Sequence, residues 1–288
     1  MSKLQSNTLS LNQTNFVAGT KSTFTYRLPQ PREFSSEDTI SLQEISFYNS
    51  FFNIEESRLN NSFSLMWNAN TSVQYDFTIE DSYLEISDIN EFLKAQCLLN
   101  KLYMTEDATG KIIQFVTVET IISRYLAELK FYELPTAAQA TTLGYSIPAG
   151  ATWSLPSTAK TPQIIFSDNN FGTLLGFNPS QTIPTTPQSV YTQVISDNVP
   201  QIVPVTNILI GCNLINNNYT IPNTILSSVP INGAFGSLLF FQNSSANYSN
   251  IKASRFDTIT ITFYDQLNNE LTMLDKSINI LLNLKTTK

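Results

Sequence analysis

Two stretches near the C-terminus constrain the fold more than any other feature of the chain. Across 256–264, Ile259, Ile261 and Phe263 alternate with Thr258, Thr260 and Thr262; across 278–285, Ile278, Ile280, Leu282 and Leu284 alternate with Asn279, Asn283 and Lys285. A period of two is the pattern of a strand with one buried face, because successive side chains point to opposite sides of a sheet. Ile259, Ile261, Phe263, Ile280 and Leu282 are therefore predicted to face inward. The intervening DQLNNE (265–270) is turn-like, so the two stretches are expected to form a C-terminal antiparallel pair.

Strand patterns continue upstream at 23–29, 40–48, 62–67, 73–79, 112–120, 128–134, 161–167, 201–215 and 236–242, separated by Asn, Pro and Gly turns. Many short strands of this kind predict an all-β antiparallel sandwich or jelly roll. Two helices interrupt it. The first is expected over 87–103, capped by Ser87 or Asp88, with Ile89, Phe92, Leu93 and Leu99 in one apolar stripe. A shorter one falls at FGTLLGF (171–177), with Asp168 and Asn169 as cap candidates and Gly176 placed to end it. Around it, 134–162 and 178–204 are rich in Pro, Thr, Ala and Ser and read as long ordered loops or an insertion near 134–204.

Charged residues are only 14% of the 288, against ~25% in ordinary soluble domains. Asn, Ser, Thr and Gln must cover the surface instead. Two origins stay open: burial against copies or fixed partners, where interface centres are depleted in charge, and the codon bias of an AT-rich genome. The formal net charge of −7, with Lys3, Lys21, Arg27 and Arg32 scattered along an N-terminal arm, argues against nucleic-acid binding. No run reaches the ~18 apolar residues of a membrane span, and the opening residues lack a signal-peptide core, so synthesis in the cytosol is expected. Cys97 and Cys212, far apart and without CxxC spacing, read as two buried thiols, and the Asn-X-Ser/Thr sequons carry no weight in so Asn-rich a chain.

Catalytic patterns are missing where they should show. The chain has no histidine, which removes Ser-His-Asp and Cys-His nucleophiles and the commonest metal ligand, and two lone cysteines make no zinc site. ATGK at 108–111 lacks the first Gly of a phosphate loop and reads as a turn. Glu119 with Glu128, or Glu80 with Glu85, are the carboxylate pairs that acid and base chemistry would use; each reads as solvated surface. Asp168, Asn169 and Asn170 lack the spacing of a calcium loop and suit a helix cap. Trp153, Tyr145 and Tyr191 suit either a sugar platform or packing of the Pro-rich loops. No catalytic, cofactor or metal residue is therefore assigned, and the expectation is a protein that is not an enzyme.

The segments at 162–187 (PQIIFSDNNFGTLLGFNPSQTIPTTP) and 201–226 (QIVPVTNILIGCNLINNNYTIPNTIL) resemble the central part of the penton, or minor capsid, proteins of virophages and Polinton-like viruses. The short LLGF helix with its downstream Pro, the PxVxPV-like entry at 199–205 and the Cys-Asn-Leu strand ending in Asn-Asn carry the likeness. The closing run at 247–285 and TIEDSYLEISDINEFLKAQ upstream look like the same family, so the resemblance extends from about residue 23 to the C-terminus. One departure is Glu80, Asp81 and Ser82 before Tyr83, where the family often has Pro-Asp-Gly. The resemblance implies a single jelly roll over 21–288 and homopentamers at the five-fold vertices of an icosahedral virion, beside a double-jelly-roll major capsid protein. Phe171, Leu174, Leu175, Phe177 and Trp153 are the candidate interface or loop-packing residues. Residues 1–20 read as an arm on a neighbour or as a first strand of the chain's own sheet. The alternative function is a sandwich module that binds a glycan or receptor through the Pro-rich loops.

Overall fold

The computed structural model describes residues 4–203, 205–245 and 247–287; Lys3 and Pro204, which figure in the sequence reading, lie outside the described residues. Strands come in chain order as β1 (Leu4–Leu11), β2 (Phe16–Gly19), β3 (Thr23–Phe34) and β4 (Thr39–Tyr48). Next are β5 (Ser62–Asn68), β6 (Ser72–Thr78), helix α1 (Ile86–Leu99), β7 (Met104–Glu106), β8 (Ile112–Ile113), β9 (Val116–Ile121) and β10 (Leu126–Phe131). Helix α2 (Ala137–Leu143), β11 (Tyr145–Ser146), β12 (Gln163–Phe166), helix α3 (Phe171–Leu174), β13 (Gln181–Ile183) and β14 (Thr192–Ile195) follow. The chain closes with β15 (Asn207–Cys212), β16 (Ile225–Pro230), β17 (Leu238–Gln242), β18 (Ser249–Asn250), β19 (Ser254–Tyr264) and β20 (Asn279–Thr287).

These elements divide into two compact units, Met1–Phe51 with Val205–Lys288, and Phe52–Pro204. The first unit has two antiparallel sheets, β1-β20-β4-β17 and β16-β15-β19-β3-β2, with β18 added to β4. Taking β1, β3, β4, β15, β16, β17, β19 and β20 as eight successive strands, the orders are first-eighth-third-sixth and second-seventh-fourth-fifth. That is the order of a jelly roll, in which every successive connection except β15 to β16 crosses between the sheets. Its core joins inward faces of both sheets: Phe24, Tyr26, Ile40, Ile45, Phe47, Ile259, Ile261, Phe263, Ile280 and Leu282 are all buried in one cluster. Every inward position predicted from the C-terminal alternation is thus in place.

The expected C-terminal pair is not. β19 pairs with β15 and β3, while β20 pairs with β1 and β4, in the other sheet. Alternation fixes which face of a strand is buried but says nothing about which strand lies beside it. The turn is real: the Asp265 carboxylate accepts from the backbone N–H of Leu267 (2.8 Å) and Asn269 (2.9 Å), and the chain then crosses the sandwich. Residues 4–19 of the segment read as an arm supply β1 and β2; β1 is paired with β20 from Leu4↔Thr287 to Leu11↔Ile280.

The second unit lies in the chain between β4 and β15. It has three small sheets, β13-β12-β5-β6, β14-β10-β9 and β11-β7-β8. The Pro-rich stretch 134–204 falls inside it together with 52–133. α1 starts at Ile86 rather than Ser87: the Asp88 carboxylate reaches back to the Glu85 N–H at 2.9 Å, so Asp88 is the third helical residue and not the cap. Its buried stripe is Ile86, Ile89, Leu93 and Cys97, and Leu99, expected in that stripe, is exposed at the last turn. α2 falls where the Pro-, Thr- and Ala-rich composition predicts loop. Its signal is a capping box, with Thr136 and Gln139 bonded reciprocally and Gly144 closing the helix, but a seven-residue Ala-Thr segment has no apolar periodicity to announce it.

Candidate functional site

The residues singled out from the sequence converge, but on a core. Phe171, Leu174, Leu175, Phe177 and Trp153 are all buried in the second unit. Asn169 starts the short α3: its side-chain oxygen accepts from the Phe171 N–H at 3.2 Å, and its amide donates to the Ser62 carbonyl at 2.7 Å. Asn170 donates to the Arg58 carbonyl at 2.9 Å. Asn169 thus satisfies the first helical N–H, while Asn170, the N-cap residue, makes no side-chain bond to the helix and instead ties it to its own unit. Phe171 then stacks on Phe63 (centroids 4.8 Å apart, planes at 14°), and Phe177 stacks on Phe166 at 5.5 Å.

Gly176 ends α3 with φ +83°, and a Cβ there would lie 2.1 Å from the Asn198 carbonyl oxygen. The backbone at this point is both left-handed and closely approached, so only glycine fits. Trp153 packs edge-on against Trp67 at 5.2 Å, and its indole N–H donates to the Lys101 carbonyl at 2.8 Å. The loop at 148–156 is held by this side chain together with the Lys101 ammonium on the Ala149 carbonyl (2.8 Å) and the Asn70 N–H on the Ser154 carbonyl (3.0 Å). All five side chains are buried within the second unit.

The carboxylate pair Glu119 and Glu128 meets directly across β9 and β10, and Lys130 lies between them, 2.7 Å from Glu119 and 3.4 Å from Glu128. The hydrogen bond from Lys130 to Glu119 raises the lysine pKa. Both carboxylates are thus held in a surface ion-pair triad. Glu85 sits at the start of α1 and Glu80 is exposed, so that pair is not assembled into a site. The ATGK segment is a tight turn between β7 and β8, with Gly110 at φ +72° donating to the Glu106 carbonyl at 2.8 Å.

Of the aromatic platform, Trp153 is in the core and Tyr145 packs against it, whereas Tyr191 is surface-exposed beside Tyr132, with centroids 4.9 Å apart. Tyr132, which directly follows β10, carries no sequence signal of its own, since it falls inside the strand pattern at 128–134.

Cys97 and Cys212 are free and buried, one in each unit, and desolvation pushes both thiols from 9.0 up to about 12. Among the described residues no group of three His, Cys, Asp or Glu side chains is placed to hold a metal ion, and no helix is long and apolar enough to cross a membrane.

No family model matches the chain, and no curated protein matches it. Among solved structures it is similar to the crystal structure of the SeMet-labelled mavirus penton protein, at 13% identity and a TM-score of 0.47, over 99% of this chain and 100% of that one. At that identity and superposition the likeness does not by itself assign a function.

Proposed function

We propose that this chain is a structural virion protein, a penton (minor capsid) protein that forms homopentamers at the five-fold vertices of an icosahedral capsid, beside a double-jelly-roll major capsid protein. The observation that carries this reading is the complete eight-stranded jelly roll, β1-β20-β4-β17 against β16-β15-β19-β3. Jelly rolls serve capsids, lectins and cupins, so the site must decide among them. A chain without histidine lacks the usual metal ligand of an enzymatic barrel, and its best carboxylate pair is occupied by Lys130. The capsid role also fits the low charge content, and the resemblance at 162–226 supplies the family. The test is native mass spectrometry of the purified full chain. A species of five times 32.3 kDa supports the reading, and a monomer at every concentration contradicts it.

A second reading has one observation in its favour. The exposed Tyr132 and Tyr191 rings, beside Lys130, Glu119 and Gln193, offer stacking and hydrogen-bonding groups of the kind that sugars take. A glycan array with the wild-type chain and with Tyr191→Ala tests it; signal lost in the variant supports a glycan site, and no signal at all refutes it.

A further inference from the structure

Residues 198–251 contain no Asp, Glu, Lys or Arg. The part of this run that lies in the jelly roll, from Val205 on, builds β15, β16, β17 and β18 with their connections, and β16 and β17 are the edge strands on one flank of the two sheets. Exposed edges are normally guarded by charge or cover. This flank also carries large exposed apolar side chains: Tyr219 and Ile221, 98% and 85% exposed, at the tip of the loop between β15 and β16, and Leu238 and Phe240, 57% and 53% exposed, on β17. With Tyr48 opposite Leu238, they expose on the order of 600 Å² of surface. A specific interface buries ~800 Å² on each side.

The tip is a built feature. The Asn217 N–H donates to the Asn223 carbonyl at 2.6 Å, closing the loop, the Tyr219 N–H donates to the Asn217 side-chain oxygen at 3.0 Å, and the Asn223 amide donates to Asn216 at 2.8 Å. Asparagine side chains thus hold two apolar residues away from their own domain.

The opposite flank carries a matching recess. Between β1 and the second half of β3 lies a groove of about 390 Å³, whose apolar walls include Leu9, Leu28, Pro29, Pro31, Phe34 and Leu284. β3 and β15 each run antiparallel to β19, so they are parallel to one another. The far end of β3, with the groove, and the far end of β15, with the tip, therefore lie at the same end of the sandwich. Arg32 stands at the groove with donors suited to a tyrosine hydroxyl that loses its water.

We infer that the uncharged flank is buried against a second copy of this chain, with Tyr219 and Ile221 of one copy seated in the β1–β3 groove of the next. Tip and groove are different patches on opposite flanks, so the contact is head-to-tail, the kind from which a closed ring such as the pentamer above is built, rather than a two-fold dimer. This inference rests on the homo-oligomeric reading above and names its surfaces.

The experiment compares the full-length wild type with Tyr219→Ser/Ile221→Ser and, as a control, Leu267→Ser, an exposed apolar residue at the turn after β19. Each is measured by light scattering after size exclusion and by far-UV circular dichroism. The expected result is loss of the oligomer in the double variant, with an unchanged spectrum, and retention in the control. A second arm oxidises Asn218→Cys/Gln30→Cys, whose single variants serve as references. A covalent ladder above the monomer, in the double cysteine variant alone, is expected; Cys97 and Cys212 are buried and do not compete. If the wild type is oligomeric but the serine variant keeps its mass and no ladder forms, this interface is wrong while the oligomer stands. If the wild type is monomeric throughout, both fall.

Discussion

Ile261→Ala removes part of a side chain that is fully buried on the central strand β19, directly between Cys212 on β15 and Phe24 on β3. Truncating a buried Ile to Ala costs about 2–5 kcal/mol, because transfer free energy is lost and a cavity is left among neighbours that relax only in part. Ile261 has partners in both adjacent strands, so we expect a cost of about 3 kcal/mol, near the middle of that range. Each ~1.4 kcal/mol is a factor of ten in population, so the open state should become roughly a hundredfold more populated. Cys212, in register with Ile261, reports this directly, since its buried thiol reacts only when the sheet opens. The assay is alkylation of the native protein followed by peptide mapping, with urea unfolding by circular dichroism alongside. The companion variant Thr262→Ala, on the opposite face and 3.3 Å from the Thr23 hydroxyl, should change stability by about 1 kcal/mol or less. If Ile261→Ala leaves the Cys212 labelling rate and the midpoint unchanged, or Thr262→Ala proves the costlier of the two, the register of β19 is wrong.

Gly176→Ala forces a Cβ toward the Asn198 carbonyl at positive φ, so it should destabilise the second unit by more than the ~1–2 kcal/mol of a left-handed residue alone, seen as an earlier tryptophan-fluorescence transition. Gly110→Ala, at a similar φ with open space around it, should cost only the ~1–2 kcal/mol of the left-handed backbone and provides the comparison. Alkali should weaken the fold: Cys97 and Cys212 rise from 9.0 to about 12 and Tyr26 from 10.0 to about 12, all by burial. The unfolded chain then loses these protons first, so this contribution to stability is complete below about pH 9 and drains away between about pH 9 and 12. Urea midpoints that stay level across that window would contradict it. Deleting residues 1–20 removes β1 and β2, so the truncated chain should lose its cooperative circular-dichroism transition; an intact transition would mean the jelly roll does not need them.

The jelly-roll core was legible where alternation is clean, as in Ile259, Ile261 and Phe263, because burial of one strand face is a local pattern. Strand partners were not: nothing local distinguishes β20 beside β19 from β20 facing it across the core, since pairing depends on residues as distant as Leu9 and Leu282. The second unit was hidden for a related reason. Its sheets join Leu65 to Ile164 across the intervening helices, and Pro-rich composition drew attention to 134–204 and away from 52–133. α2 lacked periodicity, and the LLGF segment showed its apolar character but not its destination. Phe171 and Trp153 have the composition of an interface; only Phe63 and Trp67 against them reveal a core.

The central claim is that this jelly roll stands at capsid vertices. Its most direct test is electron cryomicroscopy of particles assembled from this chain and a double-jelly-roll major capsid protein, reconstructed with icosahedral symmetry. The account predicts five copies around each five-fold axis, with Tyr219 of one copy against the β1–β3 groove of the next. Vertices that are empty, or filled by another protein while this chain stays in the soluble fraction, would contradict it.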